Sequence, residues 1–270
     1  MRIGLSWVNN DMCLPLSAAC VLFTVIMVTL SQAGLWLFSR WCGHAKLEQS
    51  NEVAGIVFGA IGLIYSLVLA FVIVAVWEDY NDLDKTIMTE TDKLNGILAH
   101  SNTLPDSLKQ VVGTSVYNYC NQVINQEWQM QETKTYYPSP IPALRRELLN
   151  TPPANEIESR VFDAIDQDLS SISDQRRNRL LHTHTQMPQL IWQILKAGTL
   201  LLILFSYFFH VPSVRLKQIY LVFFVTAVSM CMFLVYSLDH PFDRQGGVSI
   251  QPYYNVLNES KAFLLMPAKE

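Results

Sequence analysis

Long apolar runs alternate along this chain with stretches of ordinary polarity. Four runs stand out, at residues 14–38, 53–77, 190–211 and 216–238. The first two carry no charge, and the last two contain only Lys196 and Lys217. A hydrocarbon core about 30 Å thick takes roughly 20 apolar residues of helix to cross. Helices on the surface of soluble proteins keep a polar face, and these runs have none. The pattern predicts four transmembrane helices in two hairpins, one at each end of the chain. The predicted organisation is a first hairpin at 1–77, a helical soluble segment at 78–189, a second hairpin at 190–238 and a C-terminal tail at 239–270.

The segment between the hairpins follows a helical period. Leu83, Ile87, Leu94, Ile97 and Leu98 form one run, and Leu108, Val112, Val116, Tyr119 and Val123 a second. Ile157, Val161, Ile165, Leu169 and Ile172 form a third. Pro105 stands where a helix can begin, because a first-turn proline loses no hydrogen bond. The proline-rich stretches 136–142 and 151–153 are connectors with a short helix between them, since proline does not continue a helix. No strand alternation of useful length appears. The fold class is therefore an all-α membrane protein, with four transmembrane helices flanking a helical soluble segment.

Composition sharpens this picture. Half of the 270 residues are hydrophobic, only 16% are charged, and the mean hydropathy is +0.20. These values argue against a disordered chain. Residues 78–189 hold 16 acidic and 10 basic residues, although the whole chain carries only −4. An acidic soluble segment excludes nucleic acid as the expected partner. The five cysteines include no CxxC pair, so neither a disulfide framework nor a zinc site is expected. The first apolar run is too long for a cleaved signal. Ser17-Ala18-Ala19-Cys20 lies at its start, where a lipoprotein box would not be.

With four crossings, both termini and residues 78–189 share one side. Arg2, Lys85, Lys93, Arg176, Arg177, Arg179 and Arg244 lie near the membrane there, against Arg40, Lys46, Arg215 and Lys217 opposite. Positive charge favours the cytoplasm, so the soluble segment is expected inside.

Few side chains point to chemistry. Gly55, Gly59, Gly62, Ser66 and Ala70 form a low-profile face on the second apolar helix, suited to close helix packing. Leu63, Leu67 and Phe71 recur every four residues on an adjoining face. Ringed in an oligomer, they would make a hydrophobic constriction that gates by dewetting. Lys196 sits near enough to its helix start to snorkel to the interface. Glu78, Asp79, Asp82 and Asp84 form an acidic cluster that Arg176, Arg177 and Arg179 are placed to meet if their helices pack together. His182 and His184 fall on opposite helix faces, so no metal is expected. No cofactor motif and no nucleophile with a base appears, and no enzyme is expected.

One set of positions carries a resemblance. It begins at Asn51-Glu52-Val53-Ala54-Gly55 and continues through Tyr65, Leu69-Ala70-Phe71, Trp77 and Tyr80. Glu90 follows, then Tyr119, Val123 and Glu127-Trp128. Arg176, Arg179, Pro188 and Trp192 come next, then Asp239, Pro241, Phe242 and Gly246. Over residues 50 to 255 the chain resembles bacterial membrane proteins with a bestrophin-like domain, distantly similar to bestrophins, which are pentameric anion channels. The resemblance implies a bestrophin-like arrangement of two hairpins around a cytoplasmic helical region. It also implies a neck on the second transmembrane helix at Leu63, Leu67 and Phe71. The bestrophin neck is more aromatic than these residues. The acidic calcium clasp of bestrophins has no clear match here, although Asp239 and Asp243 occupy a comparable place.

The expected function is an oligomeric anion channel, a homopentamer in the bacterial inner membrane, with the helix at 53–77 lining the pore. Its partners are other copies of itself, the lipid bilayer and inorganic anions. The alternative is a membrane-anchored signalling or scaffold protein whose helical segment docks a partner.

Overall fold

The apolar runs and the periodic segments all become helix. The computed structural model describes residues 15–41, 51–128, 138–182, 187–242 and 247–265. Arg2, Cys13, Cys42, Lys46, His184, Asp243, Arg244 and Gly246 lie outside the described residues. The helices are α1 (Leu16–Trp41), α2 (Asn51–Ser101), α3 (Asp106–Gln122), α4 (Ile141–Asn150), α5 (Glu156–His182), α6 (Gln189–Ser206), α7 (Val214–Asp239) and α8 (Gln251–Leu264). A π-helical turn, Val123–Glu127, prolongs α3. No strand occurs among the described residues.

Four of these helices, α1, α2, α6 and α7, are long and apolar enough to cross a membrane. The third is shorter than the apolar run at 190–211, for a local reason. The amides of Tyr207 and Phe208 reach back only three residues, to the carbonyls of Leu204 and Phe205. The His210 amide turns to Asn51 Oδ1 at 2.9 Å, and Pro212 follows.

Packing divides the chain into two units. The first comprises residues 1–78 and 187–247. The second comprises residues 79–186 and 248–270. Helix α2 contributes to both.

In the first unit, Tyr65 and Leu69 of α2 pack on Leu195 and Leu202 of α6 and on Met232 and Val235 of α7. A second cluster joins Leu35 of α1 to Ile203, Tyr207, Leu221 and Val225. Two glycines make these approaches possible. A Cβ on Gly198 would meet the Tyr65 ring at 2.5 Å, and one on Gly34 would meet the Tyr207 hydroxyl at 2.7 Å.

In the second unit, Leu83, Ile87, Leu94 and Ile97 of α2 are buried, as are Val112 and Val116 of α3 and Ile165, Leu169 and Ile172 of α5. The sequence pattern assigned no element to residues 251–264, yet α8 completes this unit. It lies along α3 at Gly113, where a Cβ would meet Leu264 at 2.9 Å and Phe263 at 3.0 Å.

Candidate functional site

Two faces of α2 differ sharply within the first unit. Tyr65, Leu69 and Val76 are buried. Leu63, Leu67 and Phe71 are 72%, 56% and 68% exposed. The glycines fall on uncovered backbone as well. A Cβ on Gly55, Gly59 or Gly62 would meet nothing within 4 Å. Ser66 returns its hydroxyl to the Leu63 carbonyl at 2.9 Å, and Ala70 is exposed. No described helix closes on this stripe. Here a stretch of α2 presents leucine, phenylalanine and glycine with no polar group beyond Ser66. Such a surface can exclude water or pack against apolar partners, but it offers no chemistry.

The covered face of α2 is fixed by polar contacts. The Tyr65 hydroxyl is 2.6 Å from Thr199 Oγ1 and donates to the Leu195 carbonyl at 3.3 Å. Asn51, at the start of the helix, donates to the His210 carbonyl at 2.7 Å and accepts from its amide. Glu52 and Trp77 are exposed, and Tyr80, in the second unit, is half-buried. At the far end of α7, Asp239 accepts from the Met187 amide at 2.8 Å and from the Trp192 indole at 2.9 Å. This carboxylate thus ties the end of α7 to the start of α6, where Pro188 precedes the first turn. Lys196 lies 5.3 Å from the Trp192 ring, one turn back towards the helix start. Pro241 and Phe242 form a half-buried turn just beyond.

The second unit buries charge. Arg179 is fully enclosed, as is Glu90. The guanidinium donates to Glu90 through Nε at 3.1 Å and Nη2 at 3.2 Å, and to Glu127 Oε2 at 2.9 Å. Arg176 donates to Glu127 Oε1 through Nη2 at 2.6 Å and through Nε at 3.1 Å. Tyr119 donates to Glu90 at 2.6 Å, and Gln122 to Glu127 at 3.0 Å. Arg179 also lies 5.5 Å from the Tyr253 ring of α8, and Trp128 meets that ring edge-on at 6.0 Å. The cluster therefore joins α2, α3, α5 and α8. Among the described residues, neither the Tyr253 hydroxyl, which faces Glu90, nor Arg179 Nη1 makes a well-directed hydrogen bond.

The π-helical turn aims Glu127 into this cluster. In a regular α-helix a residue eight positions past Tyr119 sits about 80° further round. The wider turn takes up part of that rotation, with the Trp128 amide reaching the Val123 carbonyl at 2.8 Å.

Protonation follows from these contacts. Burial pushes the Glu127 carboxyl up, but hydrogen bonds and charge from Arg176 and Arg179 outweigh it and hold it below its usual value. Burial works against the Arg179 cation, and Glu90 more than restores it. Burial, with Glu90 second, lifts the Tyr119 hydroxyl well above the ordinary range. The same two causes push the Cys120 thiol to about 12, which leaves it an inert apolar group.

The structure thus gathers family-motif positions into definite contacts. Glu90, Glu127, Trp128, Arg176 and Arg179 meet in one unit, and Trp192 and Asp239 in the other. One pairing differs from expectation. Among the described residues, no ion pair joins the arginines before the second hairpin to the acidic cluster at 78–84. Arg176 and Arg179 turn to Glu127 and Glu90, and Arg177 pairs with Asp174 at 2.8 Å. A buried carboxylate demands a buried cation, whereas the exposed carboxylates at 78–82 are already hydrated. Sequence reasoning missed Gly198, Gly34 and Tyr253. A glycine inside an apolar helix costs about 1 kcal/mol against alanine, so Gly198 was itself a signal of close approach. Among the described residues no group of His, Cys, Asp or Glu is placed to hold a metal.

Comparison with known proteins agrees with this architecture. The family model of the bestrophin-like domain matches residues 25–253. A crystal structure of a bacterial bestrophin homologue from Klebsiella pneumoniae superposes with a TM-score of 0.60 at 14% identity, covering 92% of this chain and 99% of that one. A second structure of such a homologue from the same organism gives 0.64 at 12% identity, covering 90% and 97%. No curated protein matches the sequence. The fold is shared at low identity, and the family model spans most of the chain: this is an integral membrane protein of the bestrophin-like domain family.

Proposed function

We propose that the protein is an oligomeric ion channel, permeable to anions, with α2 around the conduction axis. The observation that carries this reading is the uncovered face of α2. Its other face is fully engaged with α6 and α7, while Leu63, Leu67 and Phe71 are left bare and Gly55, Gly59 and Gly62 have no neighbour. A ring of copies, a homopentamer in this proposal, would cover the glycines at subunit contacts and turn the three apolar side chains inward. The narrow apolar bore would conduct when wetted and stop when dry. Between Glu52 and Glu78, which are exposed on the same side of α2, this face carries no charge, so ion preference would be set at the mouths of the bore. The proposed location is the bacterial inner membrane, with residues 78–189 in the cytoplasm.

Planar-bilayer recording tests this. Leu67→Ala widens the constriction and should raise conductance. Leu200→Ala, on an exposed position of α6, should not change it. Well-folded oligomers that pass no current would refute the proposal. A Ser139→Cys variant labelled from outside intact cells would reverse the orientation.

A further inference from the structure

The first unit carries a feature the channel reading does not use. Gln32, Arg215, Gln218, Ile219, Val222 and Phe223 line a shallow groove of about 590 Å³ between α1 and α7. The two helices run antiparallel, since Phe23 meets Phe233 at one end and Gln32 donates to the Gln218 carbonyl near the other. The end of α1 and the start of α7 therefore lie together.

The groove is graded along its length. Arg215, Gln32 and Gln218 sit at its mouth, and Ile219, Val222 and Phe223 continue into the apolar span. Phe223 lies eight residues past Arg215, or about 12 Å along the helix. The surrounding residues mark this end as a membrane boundary. Trp36 and Tyr220 are exposed, and Arg40 lies 5.8 Å from the Trp36 ring. Aromatic side chains and arginine concentrate where hydrocarbon meets headgroups.

The cations at this end are not equivalent. Lys217 donates to the Tyr207 carbonyl at 2.9 Å and is spent inside the protein. Arg40 is over its tryptophan. Arg215 is exposed at the mouth of the groove, and no carboxylate pairs with it among the described residues. An apolar channel roughly two helical turns long, closed at its polar end by an unpaired guanidinium and two amides, matches one chemistry. That chemistry is an acyl chain joined to a phosphate.

We propose that this groove binds an anionic phospholipid, its phosphodiester on Arg215 and one acyl chain along Ile219, Val222 and Phe223. A guanidinium fits phosphate oxygens two at a time, which favours arginine at such a position. The lipid would clamp α1 to α7 from outside, at a face that no other described helix of this unit covers. The inference stands apart from whether the protein conducts.

Native mass spectrometry of the full-length protein in detergent tests it. The probes are dioleoylphosphatidylglycerol, dioleoylphosphatidylcholine and glycerol phosphate. The wild type should retain phosphatidylglycerol over phosphatidylcholine. Arg215→Gln should lower that preference about five-fold, the ratio matching about 1 kcal/mol per basic residue at an anionic surface. Arg40→Gln should leave it unchanged. Val222→Trp, which fills the apolar floor, should reduce binding of both lipids while the oligomer keeps its mass. Equal retention of the two lipids by the wild type would overturn the proposal. So would an equal loss in Arg40→Gln, which would mean a diffuse surface charge. Displacement by millimolar glycerol phosphate would assign the site to a free anion instead. Dissociation of the oligomer by Val222→Trp would assign the groove to a second copy of the chain.

Discussion

The two units of this protein solve the same problem with opposite materials. Each must fix long helices in one register, and each does so with a buried tyrosine. In the membrane unit, Tyr65 presses its ring against Gly198 and shares its hydroxyl with Thr199. The bond alone is worth about 0.6 kcal/mol between membrane helices, so the close ring-to-backbone fit sets the register. In the second unit, Tyr119 donates to a carboxylate that is itself held by a buried arginine. There the register comes from charge, because a misplaced helix would leave an ion buried and alone. Lipid supplies no drive for apolar burial, which leaves shape to decide; water supplies that drive, so a polar network can add selectivity.

The contrast can be broken from its charged side first. Arg179→Met removes the cation shared by Glu90 and Glu127 and should cost about 3–5 kcal/mol. Urea unfolding of the detergent-solubilised protein measures it. Adding Glu90→Gln to that variant should recover part of the loss, as removal of both ends of a buried pair costs less than removal of one. A double variant destabilised by the sum of the Arg179→Met and Glu90→Gln losses would show that the charges are not coupled.

The membrane side should yield less. Gly198→Ala forces a Cβ to 2.5 Å from a ring whose hydroxyl is already anchored, and should cost about 1–3 kcal/mol. Gly55→Ala meets nothing within the chain and should leave subunit stability unchanged. If it instead weakens the oligomer on a sizing column, the uncovered stripe is a subunit contact.

Acidity should separate the two units further. The folded Glu127 carboxyl lies below its ordinary value of 4.5. It therefore contributes stability that is complete above that value and is lost as pH falls below it towards the folded value. The unfolding midpoint of the wild type should drop over this range, and Glu127→Gln should flatten the decline. A matching slope in both proteins would remove Glu127 as its source. Smallest of all is the exposed Arg177–Asp174 pair, where Arg177→Ala should change stability by no more than about 0.5 kcal/mol.

The sequence shows the membrane half of this comparison more clearly than the other. Apolar side chains on every side of a 25-residue run admit one reading, and α1, α2, α6 and α7 follow from it. The periodic segments between the hairpins were equally legible as helices. Their partners were not. Glu90 and Arg179 lie 89 positions apart, and nothing in either residue names the other. The acidic cluster at 78–84 was a similarly distant candidate for the same arginines, and the fold gives them Glu127 and Glu90 instead. Residues 251–264 carry a mixed pattern, with Tyr253, Val256 and Leu257 buried among polar neighbours, and a short helix of that kind gains its stability only on docking. The resemblance pointed to Glu90, Glu127, Arg176 and Arg179 as positions, and the fold supplies what unites them. Gly55, Gly59 and Gly62 were legible as a packing face, although no described helix lies against them.

The central claim concerns which face of α2 meets the conduction path. Cysteine substitution with current recording tests it most directly, in a background lacking the five native cysteines. Single cysteines at positions 63, 65, 67, 69 and 71 would be exposed to a charged thiol reagent during recording. Block at 63, 67 and 71, with none at 65 and 69, is the result this account predicts. Block at 65 and 69, or an unaltered current at every position, would contradict it.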